Sequence, residues 1–139
     1  KLCSLSSDIL LVKPETFMNK SGDVVSYVQK NYDLSPKQYV VIHDDLDMPF
    51  GTVRVIENRG SGGHNGVQSI ASALGTNEFV RIRIGVAREV EPGRIIKPDV
   101  LGKLMKEELE QVPDIALRVG KILELISISG VGPAMTAFN

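Results

Sequence analysis

Two short apolar runs, Ile9-Leu10-Leu11-Val12 and Tyr39-Val40-Val41-Ile42-His43, constrain the fold of this chain more than any other feature. Neither alternates with polar residues, and the second is largely β-branched, so each predicts a strand buried on both faces. Such strands need cover from helices. A helical pattern lies between them over residues 16–31, with Phe17, Val24, Val25 and Val28 spaced for one face and Thr16 or Ser21 as candidate cap. Residues 52–56 alternate as a third strand. Residues 80–86 alternate cleanly as a fourth, with Val80, Ile82, Ile84 and Val86 on one face and Arg81 and Arg83 on a basic outer face. Helical patterns cover residues 67–74, a short stretch at 99–104, and a long one at 107–129. Strands and helices that alternate in this way predict an α/β class: three layers, α/β/α, around a mixed, mostly parallel sheet.

At 139 residues the chain suits a single domain, residues 1–139, with a normal core. Its 42% hydrophobic and 24% charged content is that of a soluble globular protein, and no apolar run approaches membrane-spanning length. Cys3 is the one cysteine, which excludes an internal disulfide and a cysteine-based zinc site. The net charge of −1 says little, but its distribution is uneven: residues 52–106 carry nine basic and five acidic side chains. A basic zone suits a phosphate-bearing partner, and equally a solvated face. The chain opens Lys1-Leu2-Cys3, without an initiator Met, and runs almost at once into a strand. That reads as a chain that has lost its beginning.

The basic zone surrounds Gly60-Ser61-Gly62-Gly63-His64-Asn65-Gly66. A glycine-rich turn that opens a helix brings backbone close to a ligand and aims unpaired N–H groups at it. His64 and Asn65 add a titratable ring and a two-way hydrogen bonder there. In an α/β sheet, ligands gather at the carboxyl ends of strands. Asp44 and Asp45 end the second strand, and Asn19 follows the first. Asn19, Asp44, His64 and Asn65 together would make a hydrolytic site: an imidazole takes a proton from water, a carboxylate orients it, and amides hold a carbonyl and its oxyanion. The bland readings are a mobile glycine loop, acidic turn formers and a capping Asn19. Asp44-Asp45-Leu46-Asp47 lacks the spacing of a calcium loop. Ser61 is outside the flanking-glycine nucleophile elbow, and no lysine follows the glycines as in a Walker loop. His43 and Asp44 are adjacent in a strand and point to opposite faces, so they form no direct dyad.

These segments resemble the bacterial-type peptidyl-tRNA hydrolase family. The matching pieces are Lys13-Pro14-Glu15-Thr16-Phe17-Met18-Asn19-Lys20-Ser21-Gly22, Val41-Ile42-His43-Asp44-Asp45-Leu46-Asp47-Met48-Pro49-Phe50-Gly51, and the glycine stretch 60–66. They continue with Phe79-Val80-Arg81-Ile82-Arg83-Ile84-Gly85-Val86, Val100-Leu101-Gly102-Lys103 and the closing Ala137-Phe138-Asn139. The resemblance implies a monomeric, metal-independent, cofactor-free enzyme that cleaves the ester joining peptide to tRNA. It makes Asn19 and Asn65 hold the peptide, with His64 assisting. Asp44 would orient a catalytic histidine that this chain does not contain, and Arg83 with Arg81 would grip tRNA phosphate. Gly60, Gly62, Gly63 and Gly66 would shape the loop, and residues around 100–106 would form a mobile cover.

The family's N-terminal segment, with its catalytic histidine, has no counterpart here, so the chain alone is expected to be inactive. A dyad of His64 with Asp44, read from the residues alone, competes with the family's arrangement. A different function on the same fold is RNA binding without catalysis, as in splicing-type relatives of plastids. The expected location is cytoplasmic, with mitochondria or plastids as alternatives.

Overall fold

The computed structural model describes residues 2–6, 9–99 and 102–139, with side chains from residue 9 onward. Strand β1 (Leu2–Ser6) pairs antiparallel with β2 (Ile9–Val12), Leu2 opposite Val12 and Cys3 opposite Leu11. Among the described residues this is a separate two-stranded sheet. Its β2 is therefore half-buried, with Leu11 exposed, and not covered on both faces as its composition suggests.

Helix α1 (Asp23–Asn31) starts seven residues later than expected. Neither Thr16 nor Ser21 caps it; Gly22 occupies that place, and Phe17 lies outside the helix, 81% exposed. The reason is a close approach. The Gly22 N–H donates to Ser69 Oγ at 2.9 Å, and a Cβ on Gly22 would stand 2.3 Å from the Ser69 carbonyl oxygen. Only glycine lets α1 seat there, with Val25 and Val28 buried. The surface beneath is helix α2 (Asn65–Leu74), reached after β3 (Val40–Pro49) and β4 (Val53–Glu57).

The chain divides into two compact units, one of residues 1–41 and 57–80, the other of 42–56 and 81–139. The first has its core at Val67, Ala71 and Phe79, with Tyr39, Val41, Ile70 and Leu74 packed around them. The Tyr39 hydroxyl is buried there without a hydrogen-bond partner among the described residues, and burial raises its pKa.

The second unit holds the main sheet. Strand β5 (Val80–Glu91) lies between β3 and β4, and β6 (Arg94–Ile96) folds back antiparallel on β5 through a turn at Pro92-Gly93. The bonds from Val80 N–H to the Tyr39 carbonyl and from Phe50 N–H to the Ala87 carbonyl advance together along both strands. Strands β3 and β5 are therefore parallel, and the sheet is mixed, as expected for the α/β class. Strand β3 is longer than its apolar run predicts: it continues through Asp44, Asp45 and Asp47 to Pro49. At its end Gly85 comes so close to the Pro49 carbonyl oxygen that a Cβ would stand 2.0 Å away.

No helix covers the described part of residues 99–104, where the Gly102 N–H bonds the Asp99 carbonyl; Val100 and Leu101 lie outside the described residues. Helix α3 (Lys106–Ser129) matches the long pattern, and α4 (Val131–Phe138) follows it, a helix absent from the sequence pattern. Asn139 then pairs with β4. Its side-chain oxygen accepts the Val55 N–H at 2.8 Å and its amide donates to the Val55 carbonyl at 2.7 Å, while Arg54 bonds its backbone carbonyl. Among the described residues, no helix is long and apolar enough to cross a membrane.

One part-buried ion pair ties the end of β5 to the start of α3. Arg88 donates from Nε and Nη2 to the two carboxylate oxygens of Glu108, at 2.8 and 3.3 Å, and Glu108 also accepts the Met105 N–H at 2.6 Å. The Arg88 hydrogen bond, with the Met105 N–H behind it, holds the Glu108 carboxyl below its ordinary range, and Glu108 in turn raises Arg88. A carboxyl whose folded pKa is depressed adds stability that is fully present above its unfolded pKa and is lost as pH falls through the folded value. Unfolding midpoints are thus expected to decline below the ordinary glutamate range, and Glu108→Gln is expected to flatten that acid limb while lowering stability at neutral pH. Gly85→Ala is expected to cost about 2 kcal/mol or more in urea unfolding, because rigid backbone occupies the space.

Candidate active site

Within the first unit, the glycine stretch bends through Gly62 and Gly63, whose φ angles of 62° and 86° suit glycine. Gly60 has no such angle and faces open space. His64 then takes extended backbone as the N-cap of α2, and its Nδ1 accepts the N–H groups of Gly66 and Val67 at 3.1 and 3.2 Å. Those are two of the four donors that a helix start leaves unpaired. An acceptor Nδ1 places the ring proton on Nε2. His64 thus spends its basic nitrogen on the helix.

Asn65 opens α2 and is exposed. Beside it packs a short 3₁₀ turn, Met18–Lys20, which carries Asn19, also exposed. A Cβ on Gly66 would stand 2.5 Å from Met18 Sδ and 3.1 Å from His64 Cε1, so glycine here is required by the approach of Met18. The structure brings Asn19, His64 and Asn65 to one helix start. It adds two residues: Phe17, which the sequence pattern put on a helix face, and Met18 stand 81% and 56% exposed, neighbours of Asn19 in the chain. Large apolar side chains this open, adjacent to polar ones, make a surface of mixed apolar and polar character.

The acidic and basic residues belong to the second unit. Asp44 is half-buried inside β3, not at its carboxyl end, because β3 runs on to Pro49. Its carbonyl accepts from His43 Nδ1 at 2.7 Å. No side-chain dyad joins these two neighbours through that bond. Asp45 faces β5, and its Oδ2 accepts Arg83 Nε at 2.6 Å while its Oδ1 accepts the Asp47 N–H at 2.9 Å. Partial burial works to raise Asp45, but Arg83 and the Asp47 amide outweigh it and hold the carboxyl below its ordinary value. Burial first, then the positive charge of Arg83, lowers Arg81.

The basic outer face expected of β5 is not a solvated one. Arg81 is 4% exposed, and Arg83 is engaged with Asp45. Alternation places both side chains on one face, but a strand in the middle of a sheet is covered on either face, so the pattern alone could not tell outside from inside. The Asp45–Arg83 pair was visible only as opposite charges on neighbouring strands. Among the described residues no group of three or more His, Cys, Asp or Glu is placed to hold a metal.

A family model described as "Peptidyl-tRNA hydrolase" matches residues 2–139. The chain belongs to the peptidyl-tRNA hydrolase family. The peptidyl-tRNA hydrolase of Bdellovibrio bacteriovorus is 39% identical over 131 residues, 94% of this chain and 70% of that protein. That of Koribacter versatilis is 44% identical over 133 residues, 95% of this chain and 66% of that protein. The crystal structure of the Acinetobacter baumannii peptidyl-tRNA hydrolase superposes with a TM-score of 0.78 at 32% identity, covering 94% of this chain and 66% of the other. The chain thus spans roughly two thirds of the length of these family members.

The cap geometry of His64 has a measurable consequence. His64→Ala is expected to destabilise the protein by about 1 kcal/mol, as for other lost N-caps. His64→Asn, with a side-chain oxygen able to accept the same N–H groups, is expected to recover most of that loss in thermal unfolding.

Proposed function

We propose that this chain carries the substrate-holding part of a hydrolase that cleaves the ester between peptide and tRNA. The observation that supports this reading most directly is the placement of two exposed carboxamides, Asn19 and Asn65, on a 3₁₀ turn and a helix start that pack together. Carboxamides both donate and accept, so they suit the N–H and C=O groups of a peptide backbone whatever its side chains. Phe17 and Met18 beside them add apolar contact of low side-chain specificity. An enzyme that acts on many peptides needs that combination.

In this reading water attacks the ester carbonyl carbon, the ribose hydroxyl leaves, and the carboxamides hold the peptide so that the carbonyl stays aligned. Asp44 orients the imidazole that takes the proton from water. His64 is not that imidazole, since its Nδ1 already accepts two backbone amides. It fixes the helix start that presents Asn65. Arg83, with Arg81 buried behind it, contacts tRNA phosphate, a contact that positions without reading sequence. The protein acts as a monomer, without metal.

Two measurements separate this reading from its rivals. The 139-residue chain is expected to bind tRNA at low salt but to release labelled peptide from peptidyl-tRNA at a negligible rate. Asn65→Ala is expected to weaken binding of the peptidyl form without altering that of deacylated tRNA. Robust turnover that disappears in His64→Ala would overturn the assignment and make His64 the base. Equal effects of Asn65→Ala on both tRNA forms would favour an RNA-binding role without hydrolysis.

A further inference from the structure

We infer that Asp45 is a positioning residue for tRNA: it fixes the Arg83 guanidinium by its Nε edge so that the two Nη groups are presented together to a phosphate. This rests on the reading of Arg83 as a phosphate contact and extends it to a residue with no place in that reading.

A carboxylate beside an anion site is at first sight a defect, since its charge repels the ligand. The geometry gives it another use. The 2.6 Å bond runs from Arg83 Nε to Asp45 Oδ2, and the described residues give the Nη groups no other hydrogen bond. A guanidinium held at Nε keeps its Nη1–Nη2 edge open, and that edge matches two phosphate oxygens. The carboxylate itself is fixed: its side chain is 12% exposed and its second oxygen accepts the Asp47 N–H. The Arg83 side chain, at 29% exposure, reaches water from this fixed base. An arginine immobilised before binding loses less side-chain entropy when it meets phosphate, which is the gain that offsets the nearby negative charge.

Positioning and simple charge repulsion predict opposite signs. Removing an anion next to a phosphate site tightens binding if Asp45 only opposes the ligand. It weakens binding if Asp45 holds the cation in place.

The test measures deacylated tRNA binding to the chain as a function of salt, for the parent protein, Arg83→Ala, Asp45→Ala, Asp45→Asn and the Asp45→Ala/Arg83→Ala double variant. Arg83→Ala is expected to lose about tenfold in affinity and to reduce the slope of log K against log salt by about 1. Asp45→Ala is expected to lose affinity in the same direction, and the double variant no more than Arg83→Ala alone. Asp45→Asn keeps an acceptor for the Nε–H and is expected to fall between Asp45→Ala and the parent. It carries the same test should the alanine variant fail to fold. Unchanged or tighter binding by the Asp45 variants, with Arg83→Ala still weakened, would overturn the positioning role alone. Unchanged binding and slope in Arg83→Ala would overturn the phosphate reading itself.

Discussion

The second unit depends on how closely β5 can approach its neighbours. It lies between β3 and β4, and the contact at Gly85 leaves no room for a side chain against the Pro49 carbonyl. The Phe50 and Gly51 amides bond the Ala87 and Gly85 carbonyls, and the Gly85 amide bonds the Thr52 carbonyl. These bonds lock the turn between β3 and β4 onto the middle of β5. Once that register is fixed, Arg83 stands opposite Asp45, and Arg88 reaches Glu108 at the start of α3. A one-residue slip would send both arginines to the opposite face. The charged pairs are consequences of backbone packing, and they in turn fix where the cationic groups of β5 can act.

Both units solve the problem of buried or terminal polar groups by using a side chain in place of backbone. His64 Nδ1 stands in for the missing carbonyls at the start of α2, and Glu108 accepts the Met105 N–H at the start of α3. Asn139 goes further: its carboxamide accepts from and donates to Val55 as a partner strand would. Each substitution removes a group from other use. The ring nitrogen that accepts the Gly66 and Val67 amides is committed to the helix start that displays Asn65.

Much of this was legible in the sequence, for identifiable reasons. Alternation over residues 80–86 and the β-branched run at 39–43 give strands because period and side-chain shape act locally, and the glycine stretch gives the turn before α2 because Gly62 and Gly63 adopt left-handed angles. What stayed hidden depends on partners distant in sequence. The start of α1 at Asp23 is set by Ser69, the length of β3 beyond Ile42 by pairing with β5, and the burial of Arg81 by the sheet's position. Asp44 and Asp45 look equivalent in the sequence. Adjacent strand residues face opposite sides, so the second meets Arg83 and the first does not share that bond.

Where two carboxylates follow each other in a strand, one face cannot hold both, so a single acidic pair can serve two separate tasks without mutual repulsion across one pocket. Here the Asp45 side is committed to a guanidinium and a backbone amide, and it is rigid for that reason. Asp44, half-buried on the other face, has its carbonyl tied to the His43 ring. A strand is a better platform for this than a loop, since its pleat fixes the two directions about 180° apart and its ladder keeps them there. The extension of β3 through its acidic residues is what turns a run of turn-forming side chains into two oriented carboxylates.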